Sequence, residues 1–95
     1  MTAAEMMTEI LEKPGLYIGY GSVPRINAFI AGYMRGREEA PDPIYGNFGQ
    51  WLRKKFEIRQ DLGWASIISF IGTGEAGAFE LAKEMWAKYL LEIHE

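Results

Sequence analysis

The chain has no cysteine, a single histidine and no hydrophobic run of membrane-spanning length. Without cysteine there are no disulfides, thiolate metal sites or thiol nucleophiles, and the compartment has to be inferred from other features. The one histidine, His94, lies near the end of the sequence, where chains fray. It offers no base for a Ser-His-Asp triad and no imidazole cluster for a metal. The longest apolar stretch, WASIISFI, is far too short to cross a bilayer. The opening MTAAEMMTEILEK carries glutamates where a secretory signal needs positive charge. The expectation is a cytoplasmic protein with no membrane segment, no cofactor and no metal.

What is present is a globular composition. Hydrophobic residues make up 48% of the 95, enough for one core but not two, so residues 1–95 are expected to form a single helical domain. The net charge of −3 is unevenly placed. Arg25, Arg35, Arg37, Arg53, Lys54, Lys55 and Arg59 crowd the middle third against Glu38, Glu39, Asp42 and Glu57, while the flanking thirds are acidic. That asymmetry bears on partners and not on fold.

Helical periodicity dominates. Ala3, Met6, Met7, Ile10 and Leu11 form one stripe, opened by a Thr2–Glu5 capping box and stopped at Pro14-Gly15. Ser22 is a natural cap for a second helix bearing Ile26, Phe29, Ile30, Tyr33 and Met34. Gly32 inside it predicts the close approach of another element. After the irregular REEAPDPIYGN, Asn47 with Gln50 is expected to cap a short helix that turns Phe48, Trp51, Leu52 and Phe56 inward. Asp61 is expected to cap the next, with Trp64, Ile67, Ile68 and Ile71 in phase. Thr73 and Glu75 open the last and longest, whose apolar stripe (Ala78, Phe79, Ala82, Met85, Trp86, Tyr89, Leu90, Ile93) is wide enough for a central helix. The fold expected is all-α, a compact bundle of about five helices.

Chemistry-bearing patterns are few. The pairs Glu5/Glu9 and Glu80/Glu84 stand one turn apart on polar faces, which solvation and lysine partners such as Lys88 explain without catalysis. GTGEAG (72–77) approximates a phosphate loop at a helix start but lacks the P-loop lysine. Arg53, Lys54, Lys55 and Arg59 form a basic face that could meet phosphates. Trp51 and Phe56, in phase with the buried stripe, are not expected to serve there as a stacking platform.

LEKPGLYIGYGS (11–22) is the densest glycine-aromatic stretch. KPGLYIG resembles a segment near the start of gyrase B-subunit type ATPase domains. The likeness covers residues 13–19 only, and the sheet, the Glu/Asn helix and the later glycine motif of that ATPase do not follow. The stretch therefore reads as a hydrophobic connector in which Leu16, Tyr17 and Ile18 dock on the bundle and Gly19 and Gly21 turn the chain into Ser22.

A wider resemblance runs through PGLYIG, INAFIAGY, FGQWLRKKF, GWASII and EAGAFELAKEMWAKYL. This order is similar to a family of small bacterial helical proteins that resemble immunity proteins of contact-dependent or polymorphic toxin systems. What the resemblance implies is a non-enzymatic immunity protein, monomeric or weakly dimeric, that neutralises a cognate toxin, most concretely a nuclease, by blocking its active site or substrate cleft. Mild acidity suits a basic cleft. The contact residues expected on the long loop are Glu38, Glu39 and Asp42, with Tyr45 as aromatic anchor. The alternative is a nucleic-acid-associated accessory protein working through Arg53, Lys54, Lys55 and Arg59, although overall acidity makes nucleic acid the less expected partner. A small carboxylate enzyme is the third and weakest reading.

Overall fold

In a computed structural model that describes residues 1–37 and 42–94, every regular element is helical. The elements are α1 (Ala3–Glu12), α2 (Pro14–Tyr17), α3 (Val23–Arg37), α4 (Pro43–Gly46), α5 (Phe48–Lys55), α6 (Trp64–Ile71) and α7 (Gly74–Ile93). Five have eight or more residues; α2 and α4 are single turns. The expected all-α bundle of about five helices is the architecture found. The radius of gyration of 12.6 Å matches the roughly 12 Å expected of one compact unit of this length. No helix among the described residues is long and apolar enough to cross a membrane.

α1 starts as the sequence dictates. The Thr2 hydroxyl accepts from the Glu5 N–H at 3.1 Å and the Glu5 carboxylate accepts from the Thr2 N–H at 2.8 Å. The Thr2 backbone N–H first, and the Thr2 hydroxyl second, hold the Glu5 carboxyl below its ordinary range. Met7 and Ile10 on the inner face are fully buried. Pro14 does not merely end α1: it opens α2, since its missing N–H is no loss at a helix start.

The connector docks only in part. Ile18 is buried and Tyr17 half-buried, its ring edge-on to Phe29 at 5.9 Å. Leu16, expected to dock with them, projects into solvent, because one turn of helix cannot face three consecutive side chains inward. Gly19 sits at φ +90°, a backbone region glycine enters without strain. At Gly21 a Cβ would lie 2.7 Å from the Phe79 ring, so α7 passes against bare backbone. Arg25 locks the turn by donating to the Ile18 carbonyl at 2.9 Å while its guanidinium covers the Tyr20 ring at 4.5 Å. Ser22 caps α3 as expected, its hydroxyl accepting from the Arg25 N–H at 3.4 Å.

Three local expectations fail for physical reasons. Among the described residues nothing lies within 4 Å of where a Cβ on Gly32 would stand, so the expected close approach is not found there. Asn47 makes no capping bond because α4 runs almost directly into α5 and leaves it in right-handed helical backbone. Asp61 does not cap α6; its carboxylate is taken by Arg53, and Gly63 holds the cap position. Thr73 occupies the α7 cap position but makes no side-chain bond to that helix's N–H groups.

α7 is the hub, packing on α1, α3, α5 and α6. Its stripe is buried from Ala78 to Tyr89, with Leu90 half-buried and Ile93 turned out. Around its distal half lies an aromatic cluster. Phe48 is fully buried there, with Trp86 edge-on at 4.9 Å, Tyr89 at 5.2 Å and Trp64 at 5.8 Å.

Candidate functional site

Two surfaces carry the residues that the sequence singles out. The first is the turn that includes α4. Glu38 and Glu39 lie outside the described residues. Asp42 is described, and it is committed to the scaffold. One carboxylate oxygen accepts from the Ala4 N–H at 2.9 Å, satisfying a donor in the first turn of α1. The other accepts from the Ile44 N–H at 3.0 Å and so caps α4.

Tyr45 is half-buried instead of projecting. Its hydroxyl accepts from the Trp64 indole N–H at 2.8 Å, with the two rings edge-on at 6.4 Å. The Tyr89 hydroxyl of α7 donates to the Ile44 carbonyl. Burial pushes the Tyr45 phenol above its ordinary range and the Trp64 bond pulls the other way; burial, then the negative Asp42, raises Tyr89. The α4 turn is thus tied to α1, α6 and α7. Asp42 and Tyr45 are brought together, and what they do within the chain is fasten it.

The second surface is the C-terminal end of α5 and the turn after it. Phe56 ends the helix, Glu57 adopts φ +55°, and the Ile58 N–H returns to the Arg53 carbonyl at 2.9 Å. This is a Schellman ending, normally built on glycine. It folds Ile58 and Arg59 back beside Arg53. Gln50, Arg53, Lys54, Ile58 and Arg59 then line one surface depression of about 290 Å³. A neighbouring one of about 380 Å³ is lined by Trp51, Lys54, Lys55 and Glu92. Lys54 belongs to both. Arg53, Lys54 and Arg59 thus line the first depression, and Lys55 lines the second.

Arg53 is bridged to Asp61, whose side chain is 98% exposed. The Lys55 ammonium stands 5.2 Å from the centroid of the Trp51 ring. Trp51 is only half-buried, stacked on Phe48 at 6.1 Å and 20°, so part of its indole faces the second depression. The expected inward turn of Trp51 is met in part: the ring packs on Phe48 and Tyr89 as the outer layer of the aromatic cluster and stays half-buried. Sequence reasoning missed Gln50, Ile58 and Glu92. Glu92 comes from the far end of α7, which no local pattern links to α5.

The remaining patterns have structural explanations. Glu84 pairs with Lys88 at 3.4 Å, and Glu9 with Lys13 at 3.8 Å. Among the described residues no group of three or more carboxylates or histidines is placed to hold a metal ion. In GTGEAG, a Cβ on Gly72 would lie 2.6 Å from the Ala78 Cα, so that glycine serves the packing of the α6–α7 turn. The chain matches no protein-family model, no curated protein and no solved structure.

Proposed function

We propose that this chain is a non-enzymatic binding protein of the immunity kind, which neutralises a cognate bacterial toxin, most concretely a nuclease, by covering its active site or substrate cleft. The contact segment in this reading is 38–45. Glu38 and Glu39 supply charge against a basic cleft, and Asp42 and Tyr45 hold the segment's end in place. The observation that carries the proposal is the fastening of the α4 turn to three helices through Asp42, Ile44 and Tyr45. The α4 turn, held in place before it meets a partner, loses less conformational freedom on binding, so more of the contact energy made there appears as affinity. The order of motifs along the chain, similar to small bacterial immunity-like proteins, supports the same class.

The test is affinity capture of the tagged chain from its native host, with the captured partner then assayed against the pure protein. A toxin partner is expected, with E38K/E39K weakening its binding by about tenfold or more through like-charge contact. Unchanged affinity in that variant removes the segment as the contact. Asp42 is left intact in this experiment because charge reversal there breaks the α4 and α1 caps as well.

A further inference from the structure

We infer that the end of α5 is a binding site for single-stranded nucleic acid, with one depression taking a backbone phosphate and its neighbour taking a base. This goes beyond the toxin-binding reading and does not depend on it. The two depressions differ in a way that assigns their occupants. The first is lined by Gln50, Arg53, Lys54, Ile58 and Arg59: an amide, an aliphatic side chain and three cations, one of which, Arg53, is paired with Asp61. Arginine and lysine donors converging on one concavity suit phosphate oxygens.

The second is lined by Trp51, Lys54, Lys55 and Glu92. An indole face is a platform on which any base can stack. Lys55 rests on that ring at 5.2 Å, a cation–π contact that a stacked base would replace. Glu92 repels a phosphate but accepts hydrogen bonds from base amino and imino groups. Lys54, shared by both, links the two halves of one nucleotide. A duplex, whose bases are stacked inside, cannot use the second depression.

Two further observations fit. Glu57 holds a left-handed conformation that glycine adopts at less cost, and such outliers concentrate at binding sites. Its turn is what brings Arg59 to the first depression. The counter-charge on Arg53 is Asp61, almost fully exposed and therefore easily displaced by a phosphate.

The experiment is fluorescence anisotropy with a labelled single-stranded oligonucleotide of about ten residues at about 50 mM salt, with the matching duplex and heparin as parallel probes. The single strand is expected to bind with an affinity that falls as salt rises. K54E/R59E should weaken it about tenfold or more, and D61N, by freeing Arg53, should strengthen it a few-fold. W51L should weaken the single strand about fivefold and leave the duplex unchanged. E92Q, a surface change without folding risk, should alter the preference among homopolymer strands. No complex at low salt, or equal binding by K54E/R59E, overturns the proposal. So does a single strand bound no better than duplex or heparin with W51L and E92Q both silent, an outcome that identifies a plain polyanion surface.

Discussion

Glu57 is the one non-glycine residue among those described with positive φ, at +55°. An L-residue there brings its Cβ against the following carbonyl, costing about 1–2 kcal/mol, which glycine avoids at the expense of a more flexible unfolded chain. Glu57→Gly is therefore expected to raise stability by about 1 kcal/mol, read as an increase of about 4–8 °C in thermal midpoint. A lower midpoint would show that the strain is smaller than the entropy glycine adds to the unfolded chain. This residue was not legible in the sequence: KKFEIR carries no turn signal, and only the six-residue loop-back from Ile58 to Arg53 reveals one. The Thr2–Glu5 box and Ser22 were legible, because capping is decided by residues three apart and by little else.

At the scale of elements, the five longer helices follow from their apolar periodicity, whereas α4 does not. Four residues cannot show a period, and the α4 turn is held by partners from α1, α6 and α7 that lie far away in the chain. The same reason hid the role of Asp42, which looks like a free loop charge until Ala4 is brought to it. The α4 turn also makes a pH prediction. The phenols of Tyr45 and Tyr89 are both raised by burial, so each is protonated in the folded chain at a pH where it would begin to ionise unfolded. Their contribution is fully present below the ordinary phenol value of 10.0 and is lost as pH climbs through the raised values. Denaturant midpoints should accordingly fall above about pH 10. Tyr89→Phe, which deletes the bond to the Ile44 carbonyl, should cost about 1 kcal/mol at neutral pH and flatten part of that fall. A midpoint at neutral pH equal to the parent's removes the bond from the account.

For the whole molecule, the aromatic cluster around Phe48 is the centre of gravity. That ring touches Trp51, Trp64, Trp86 and Tyr89 and joins α5, α6 and α7. Phe48→Ala is expected to cost about 3–5 kcal/mol, a large part of the 5–15 kcal/mol that domains possess. Loss of near-ultraviolet dichroism with retained helicity at neutral pH would be its signature; an intact tertiary signal and midpoint would show that the core lies elsewhere. The phase of Phe48, Leu52, Trp64 and Trp86 placed all four in the core from sequence alone. The surface was harder to read. Leu16 and Phe70 are 75% and 84% exposed although each belongs to an apolar run, because a single turn buries only one side and Phe70 lies off the inward stripe of Trp64, Ile67 and Ile68.

The bonds that fasten α4 also order events in time. Tyr89 to Ile44, Ala4 to Asp42 and Trp64 to Tyr45 close separations of 45, 38 and 19 residues. Contacts this distant reward the chain only after the intervening helices have assembled, so the α4 turn is a late arrival in folding. What arrives last on an already built bundle can leave without dismantling it. In native-state hydrogen exchange, the Ile44 and Ala4 amides should open together, at lower free energy than amides inside α7. Detachment would uncover the side of Trp64 that Tyr45 covers while leaving the other helices standing.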